Sequence, residues 1–309
     1  MTTAMRIGGV LDTAGASFAD LVDQVRKLAD AGYAHAFVTQ TFDYDALTLL
    51  AAVATQVPTI ELGTAVVPVY RSHPMALAQQ ALSVQATSGN RLILGIGLSH
   101  QIVIEGMWGL SFDKPAGYMR EYLASLMPLV HGETVNITGE RLTTNAFQPI
   151  DVPGVTAPPV LVAALGTTML KLAGRVADGT VTWMTGLRTI GTHISPTIRA
   201  AAEEAGRPAP RVGVSLPVSI TADVAGTKEK VNQAFSIYPN LPSYRAMLDK
   251  EGADGAADIA FLGDEESIAR SLDSLADAGA TDFVASVVGT SEERKRTFAF
   301  LSERARATS

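Results

Sequence analysis

The feature that most constrains the fold is a regular alternation of short apolar runs with helical segments along the whole chain. Eight such strand–helix units follow one another within 309 residues. The run from Arg91 to Gly97 is apolar without alternation, which is typical of a strand buried on both faces of a parallel sheet. Eight units of this kind predict a closed (β/α)₈ barrel of the TIM type. A doubly wound open sheet is the competing arrangement, and the absence of a phosphate fingerprint after the first strand favours the barrel.

The order of the elements predicts one domain over residues 1–309 with an insertion after the fourth strand and extra helices after the seventh. The predicted strands are Ile7–Val10, Ala34–Thr39, Ile60–Val67, Arg91–Gly97, Pro159–Ala164, Gly179–Met184, Arg211–Ile220 and Thr281–Val288. The predicted helices are Phe18–Ala31, Tyr44–Gln56 started by Asp43, His73-Pro74 to Ser88, Val103–Gly109, Ala116–His131, Thr168–Ala177, Ser267–Ala278 and one opened by Ser291. The insertion carries a predicted hairpin over Val135–Phe147, and helical material over Lys228–Glu251 is broken by Pro239 and Pro242.

Composition excludes several classes of function. The formal net charge is -7 and no basic block is present, so nucleic acid is not an expected partner. Cysteine is absent, which removes disulfides, thiolate metal sites and a cysteine nucleophile. No apolar run approaches the length of a membrane span, and the start at Met1–Arg6 does not resemble a signal segment. We therefore expect a cytoplasmic protein with no membrane contact.

In a barrel the active site lies at the carboxyl ends of the strands, so the residues at those ends carry the functional argument. None of the lysines lies there, and no cluster of His with Asp or Glu is present, which argues against a Schiff-base aldolase and a metal hydrolase. Only Asp12 and His100 titrate there, and the remaining residues are small, neutral or apolar. Such a lining suits a large planar ligand that itself performs the chemistry, and no metal is expected.

Three features at these ends have two interpretations each. His100 either moves a proton or donates a hydrogen bond in the site, or it is an exposed loop histidine. Gly95 and Gly97 either let a flat group approach the backbone or allow tight packing at a strand end, and a third glycine of a dinucleotide fingerprint is missing at position 100. Thr167-Thr168 either opens a phosphate-binding helix start or caps the helix.

Several motifs resemble the luciferase-like flavin and deazaflavin oxidoreductase family. The most specific block consists of Gly63–Pro68, His73-Pro74 and Ser88–Gly97. Ala173–Gly179, Trp183–Gly186 and Gly263–Glu266 are similar to later family motifs, and especially to a subgroup that uses coenzyme F420. The resemblance covers nearly the whole chain and implies a cofactor ring in the mouth of the barrel.

The resemblance also implies which residues bind the cofactor. A bulge with a non-proline cis peptide is expected after the third strand, at Ala65–Val66. The implied cofactor-binding residues are Gln40, Thr64, Ala65, Val66, Gly97, Leu98, Ser99, His100, Ala163, Ala164, Leu165, Gly166, Thr167, Met184, Thr185 and Gly186. Gln40-Thr41 and His100 stand where some family dehydrogenases carry an Asp-His pair and a Glu, so the sugar-phosphate substrate of that branch is not transferred to this chain.

The expected function is hydride transfer between coenzyme F420 and a small organic substrate, with His100 and Gln40 as the candidate catalytic residues. An FMN-dependent monooxygenase of the same family is one alternative, and a non-catalytic flavin- or deazaflavin-binding protein is another. A cofactor-free isomerase is disfavoured because the strand ends carry no evident pair of side chains that could act as catalytic acid and base. The resemblance implies a homodimer, and the apolar run Leu47–Val53 allows such an interface, although a helix packed on its own barrel would look the same.

Overall fold

Eight parallel strands close into a ring in the computed structural model, which describes residues 4–307. We label the barrel strands β1 to β8 in chain order: Arg6–Val10, His35–Val38, Glu61–Thr64, Leu92–Gly97, Val160–Val162, Gly179–Trp183, Arg211–Ile220 and Asp282–Val287. Each strand pairs in parallel with its neighbours in sequence, and the pairing of β8 with β1 completes the circle. The (β/α)₈ barrel is thus confirmed and the open sheet is wrong.

The helices surround this ring and return the chain from one strand to the next. In chain order they are α1 Phe18–Asp30, α2 Ala46–Ala54, α3 Pro74–Ser88, α4 Gln101–Gly106, α5 Pro115–Val130, α6 Thr167–Val176, α7 Leu187–Thr189, α8 Ser195–Glu204, α9 Val224–Ala234, α10 Pro242–Glu251, α11 Ala256–Ile259, α12 Glu265–Asp277 and α13 Ser291–Ala307. Single helical turns lie at Val69–Arg71, Ile190–Ile194 and Tyr238–Asn240. The predicted hairpin after β4 is confirmed as the antiparallel pair Val135–Thr138 and Thr143–Ala146.

Local capping explains most helix boundaries. Ser17 accepts a hydrogen bond from the N–H of Asp20 at the start of α1, and the His73 ring accepts one from Met75 at the start of α3. The predicted start of the second helix at Asp43 is wrong, because Asp45 caps α2 by accepting from the N–H of Thr48. Because each of these helices follows a barrel strand, its amino end lies at the same face of the barrel as the carboxyl ends of the strands.

Three boundaries differ from the sequence-based expectation because the chain is not regular there. The predicted third strand is interrupted, since pairing stops after Thr64 and resumes only at Val67–Pro68. The helix predicted from Val103 starts earlier, at Gln101. The short strand Phe261–Gly263, which extends the sheet beside the end of β7, was not predicted.

Side chains that point into the barrel form layers. At the amino ends of the strands, Arg6, His35, Glu61, Arg211 and Asp282 form an ionic cluster that closes the bottom. Above it lies an apolar floor of buried side chains, one from each of five strands: Phe37, Ile93, Leu161, Val181 and Val284. Because successive side chains of a strand point to opposite faces, residues two positions further along each strand line the space above this floor.

Candidate active site at the carboxyl ends of the strands

A bulge in the chain after β3 forms part of the surface above the floor. The peptide bond between Ala65 and Val66 is cis, which confirms the bond implied by the family resemblance. Both side chains pack against the apolar floor. The Thr64 hydroxyl donates to the carbonyl of Gly95 at 2.7 Å and accepts from the Gly95 N–H at 2.9 Å, so it replaces the missing strand pairing. The bulge is therefore held by a buried side chain, and the N–H of Ala65 also donates to the carbonyl of Val38 on β2 at 2.8 Å.

Gly95 and Gly97 make room for this bulge. A Cβ atom on Gly95 would lie 1.8 Å from the carbonyl oxygen of Thr64, and one on Gly97 would lie 2.6 Å from Cγ2 of Val66 and 3.2 Å from Cβ of Ala163. The group that approaches these glycines in the structure is the chain's own bulge, so tight packing explains their presence. The same contacts show that Val66, Gly97 and Ala163 meet at one place in the mouth.

The space above the floor is lined by small residues on most sides. Five of the inward positions above the floor have small side chains, and these are Thr39, Ala65, Gly95, Ala163 and Ser286. One large residue, Trp183, shares a strand face with Val181 of the floor. A mouth lined in this way has room for a flat ring against the bulge and an aromatic wall on one side.

The turn after β5 leads to a helix start without a side-chain cap. Gly166 and Thr167 are exposed, and no side chain hydrogen-bonds to the first N–H groups of α6. The capping interpretation of Thr167-Thr168 is therefore wrong, and the N–H groups are available to a ligand. Free N–H groups at a helix start, together with the helix dipole, favour an anion such as a phosphate.

The corresponding helix start after β6 is already filled by a carboxylate. Glu251 accepts hydrogen bonds from the N–H groups of Arg188 and Thr189 at 2.9 and 2.7 Å and from the Thr189 hydroxyl at 2.6 Å. A Cβ atom on Gly186 would lie 2.3 Å from the Glu251 carboxyl carbon, so this side of the glycine is covered. The structure therefore does not leave Gly186 open to a phosphate, in contrast to Gly166.

Several implied cofactor-binding residues have buried or partly buried side chains. Ala164 and Met184 are each 1% exposed, and both pack in the main core between barrel and helices. Thr185 is fully buried, and its hydroxyl donates to the Trp183 carbonyl at 3.3 Å. Leu98 is partly buried against the same core. These residues shape the turns that carry the site, and the side chains of Ala164 and Met184 do not face it.

His193 supports the turn after β5, a role that the sequence did not indicate. Its ring Nε2–H donates to the carbonyl of Leu165 at 2.8 Å. His193 lies 28 residues after Leu165, in the irregular turn Ile190–Ile194, so no local pattern could connect the two. The contact holds the backbone just before the open start of α6.

Gln40 is tied to the start of α2. It is 8% exposed, its Oε1 accepts from the N–H of Ala46 at 3.1 Å, and its Nε2 donates to Asp45 at 3.3 Å. Both functional atoms of the side chain therefore have partners within the protein. A positioning role follows directly from this geometry, and a catalytic role for Gln40 stays a prediction.

His100 lies at the rim of the mouth. It follows Ser99, whose backbone is left-handed with φ 62°, and it occupies the position before α4. The ring is half-buried and its centroid lies 5.7 Å from that of Tyr244. Burial lowers the pKa of the His100 imidazole, so the ring is neutral at pH 7. The exposed-loop interpretation is thus wrong, and a neutral imidazole both donates and accepts hydrogen bonds.

Metal sites and membrane-spanning helices are both absent from residues 4–307. This range contains no group of three or more His, Asp or Glu side chains placed to hold a metal ion. No helix within the same range is both long and apolar enough to cross a bilayer.

Comparisons with known proteins agree with this geometry. A Mycobacterium tuberculosis protein whose name suggests a coenzyme F420-dependent oxidoreductase is 28% identical over 247 residues, which are 76% of this chain and 70% of that protein. The structure of the coenzyme F420 dependent tetrahydromethanopterin reductase from Methanopyrus kandleri matches with a TM-score of 0.79 at 19% identity and covers 99% of both chains. EDTA monooxygenase from Chelativorans matches with a TM-score of 0.81 at 17% identity, over 98% of this chain and 94% of that one.

At these low identities the two structural matches show the fold alone, whereas the family assignment rests on sequence. The family model for the luciferase-like monooxygenase matches residues 1–303, which is nearly the whole chain. The match includes the bulge, the strand end at Gly97 and the open helix start at Gly166. The chain therefore belongs to the luciferase-like monooxygenase family.

Proposed function

We propose that the protein is an oxidoreductase that binds coenzyme F420 and transfers hydride between it and a small organic substrate. The observation that carries this proposal is the pairing of a bulged, apolar platform at Ala65–Val66 with an open helix start at Gly166 on the same side of the mouth. The relative from Mycobacterium tuberculosis supports a deazaflavin as the ring.

The residues present fit such a cofactor. The ring would lie against Ala65 and Val66, bordered by Gly97 and Ala163, and its phosphate would accept from the first N–H groups of α6. The bound cofactor would supply hydride chemistry, since a deazaflavin is a hydride carrier. The protein's own contribution is to orient the two reactants and to exclude water from the mouth.

We assign proton transfer to His100. Its neutral ring, at the end of the strand that borders the bulge, is suited to donate or accept a proton as hydride moves. Gln40 holds the start of α2 through its hydrogen bonds to Ala46 and Asp45. We therefore assign Gln40 to positioning as well as to the polar contact expected from sequence.

Cofactor titration tests the proposal. The purified protein is titrated with F420 and separately with FMN, and cofactor fluorescence is followed. We expect preferential binding of F420. In Gly166→Asp a carboxylate at the open helix start should weaken cofactor binding by at least about tenfold through charge repulsion with the phosphate. The thermal midpoint should not fall, because Asp is a favourable residue at a helix start.

The matched control is Gly106→Asp, at an exposed helical position where an added Cβ would meet no atom within 4 Å, so cofactor affinity should not change. Preferential FMN binding would instead favour the monooxygenase alternative. Tight F420 binding without turnover of a broad substrate panel would favour a non-catalytic binding protein. Binding of neither cofactor would refute the proposal.

The homodimer and the cytoplasmic location stay predictions. The apolar residues of α2 that allowed an interface are covered by the protein itself, since Leu47 and Leu49 are each 3% exposed and Leu50 and Val53 are fully buried. These residues therefore no longer argue for a dimer. Light scattering over a concentration series decides the oligomeric state directly.

A further inference from the structure

Four aromatic rings and one imidazole form a continuous wall beside the mouth, which we call the aromatic wall. The ring centroids of Trp183 and Phe235 are 5.3 Å apart, and those of Trp183 and Tyr238 are 5.9 Å apart. Tyr238 and Tyr244 meet edge to face at 4.9 Å, and Tyr244 lies 5.7 Å from His100. Edge-to-face arrangements at such distances are favourable, so the wall is a packed unit.

The two ends of the aromatic wall, Trp183 and His100, both lie at carboxyl ends of barrel strands in the proposed site. Trp183 closes β6 on the same strand face as Val181 of the floor. His100 comes three residues after Gly97, which borders the bulge. Since β4 and β6 flank β5, the wall spans the part of the mouth that lies above Ala163 and the open start of α6.

The central part of the wall comes from the excursion after β7 and is firmly held. Met247 and Leu248, on the same helix as Tyr244, are 3% and 1% exposed. Arg245 donates to the carbonyl of Ala253 at 2.6 Å and to Asp249 at 2.8 Å. Glu251 at the end of this helix fills the start of α7. The wall is therefore a fixed surface of the site and not a loose loop.

The surface of the wall is uncharged. Burial raises the pKa of the phenols of Tyr238 and Tyr244 and lowers that of the His100 imidazole, so all three are neutral at pH 7. Arg245, which follows Tyr244 directly in the chain, donates to Asp249, and Glu251 accepts from the N–H of Thr189. A carboxylate pressed against this wall would lose hydration without gaining a cation, which is unfavourable.

We propose that the aromatic wall determines substrate specificity by accepting the flat, uncharged, unsaturated part of an organic substrate and by rejecting substrates with a carboxylate there. This inference rests on the proposed function for the reaction, but binding to the wall can be measured by itself. Tyr238 and Tyr244 are then specificity-determining residues, although neither lies at the end of a barrel strand.

A matched pair of probes tests the inference. Benzalacetone, an unsaturated phenyl ketone, and cinnamate, with a carboxylate in place of the acetyl group, are compared by equilibrium dialysis at pH 7.5, with and without F420. We expect benzalacetone to bind at least about tenfold more tightly than cinnamate. Tyr238→Ala and Tyr244→Leu should each reduce benzalacetone binding by about fivefold or more, while Tyr244→Phe should retain it.

The control variant is Phe147→Ala, since Phe147 is 92% exposed and lies outside the wall, and thermal melting verifies that each variant is folded. Equal or tighter binding of cinnamate, no binding of benzalacetone, or unchanged binding in both wall variants would overturn the inference. F420 binding is measured on the same preparations. Ketone preference without F420 binding refutes only the proposed function, whereas F420 binding without ketone preference refutes only the wall.

Discussion

Replacing Asp282 by Asn should strongly destabilise the protein, because Asp282 belongs to the ionic cluster at the amino ends of the strands. The Asp282 side chain is 3% exposed and its Oδ1 accepts from Arg6 at 2.7 Å and from Arg211 at 2.8 Å. The Thr281 hydroxyl donates to the other oxygen at 2.6 Å, and Nε2 of His35 lies 3.2 Å from Oδ1. An amide keeps the shape but removes the charge that two guanidinium groups share.

The size of the effect follows from burial. Removing one partner of a buried ion pair costs about 3–5 kcal/mol. The Arg6 and Arg211 side chains are 34% and 20% exposed, so water can solvate the charges that lose Asp282 as their partner. We therefore expect a loss of stability at the lower end of that range, about 3 kcal/mol. With a urea m-value of about 3 kcal/mol/M, the midpoint of unfolding should fall by about 1 M.

Acid titration gives a second, independent readout. Burial alone would raise the pKa of the Asp282 carboxyl, but the His35 ring and the guanidinium groups of Arg211 and Arg6 outweigh it and hold that pKa well below its usual range. The charged carboxylate therefore contributes stability above its unfolded pKa of about 3.9, and this contribution is lost as the pH falls from there toward the folded pKa. The difference between wild type and Asp282→Asn should shrink accordingly below about pH 4.

Glu61→Gln is the matched control, because Glu61 belongs to the same cluster but its side chain is 35% exposed. We expect a loss within about 1 kcal/mol, as for other exposed ion pairs. Equal urea midpoints for wild type and Asp282→Asn, or equal losses for the two variants, would refute the argument that burial makes Asp282 the central residue of the cluster.

Four further predictions concern the mouth. Gly95→Ala would place a Cβ 1.8 Å from the Thr64 carbonyl oxygen, so melting should show a loss of about 1–3 kcal/mol and F420 titration a weaker affinity, whereas Gly106→Ala should be neutral or slightly stabilising. His100→Ala should retain F420 binding but lower the turnover with a reducible substrate by about 100-fold, and unchanged turnover would contradict the assignment. Since burial lowers the pKa of the His100 imidazole, the acid limb of the wild-type rate profile should lie below about pH 6.5. Glu251→Gln should weaken the start of α7 and lower the thermal midpoint without changing the affinity for inorganic phosphate at α6.

The elements that sequence predicted well are those with local signals. His73-Pro74 marks the predicted start of its helix, and the structure contains that start, with the His73 ring accepting from the N–H of Met75. Ser17 and Gly89 likewise lie at helix ends and act through contacts within a few residues, with Gly89 left-handed at φ 64°. The apolar run of β4 is buried along its whole length. Eight signals of this kind suffice for the barrel, because few topologies join consecutive parallel strands by helices.

The features that could not be predicted from sequence depend on contacts between distant segments. The glycines at 95 and 97 are explained by the carbonyl of Thr64 and the side chain of Val66, about 30 residues earlier in the chain. Glu251 fills a helix start 62 residues before it. Neither contact affects the local pattern of apolar residues. The role of a strand-end glycine, or whether a helix start is open, therefore depends on which distant residues the fold brings to it.

Carboxylates of the protein occupy several helix starts around the mouth, and an anion can bind only at a start that they leave open. Helices start at the same face of the barrel after each strand, and each start attracts negative charge. Asp45, Asp223, Glu251 and Glu293 satisfy the starts of α2, α9, α7 and α13, respectively, from within the chain. Among the helices of eight or more residues that directly follow a barrel strand in residues 4–307, α6 alone has no side-chain cap. The caps that stabilise the other long helices thus leave the start of α6 open to an anion, and β5, which leads to it, pairs with β4 beside the bulge on which a cofactor ring would rest.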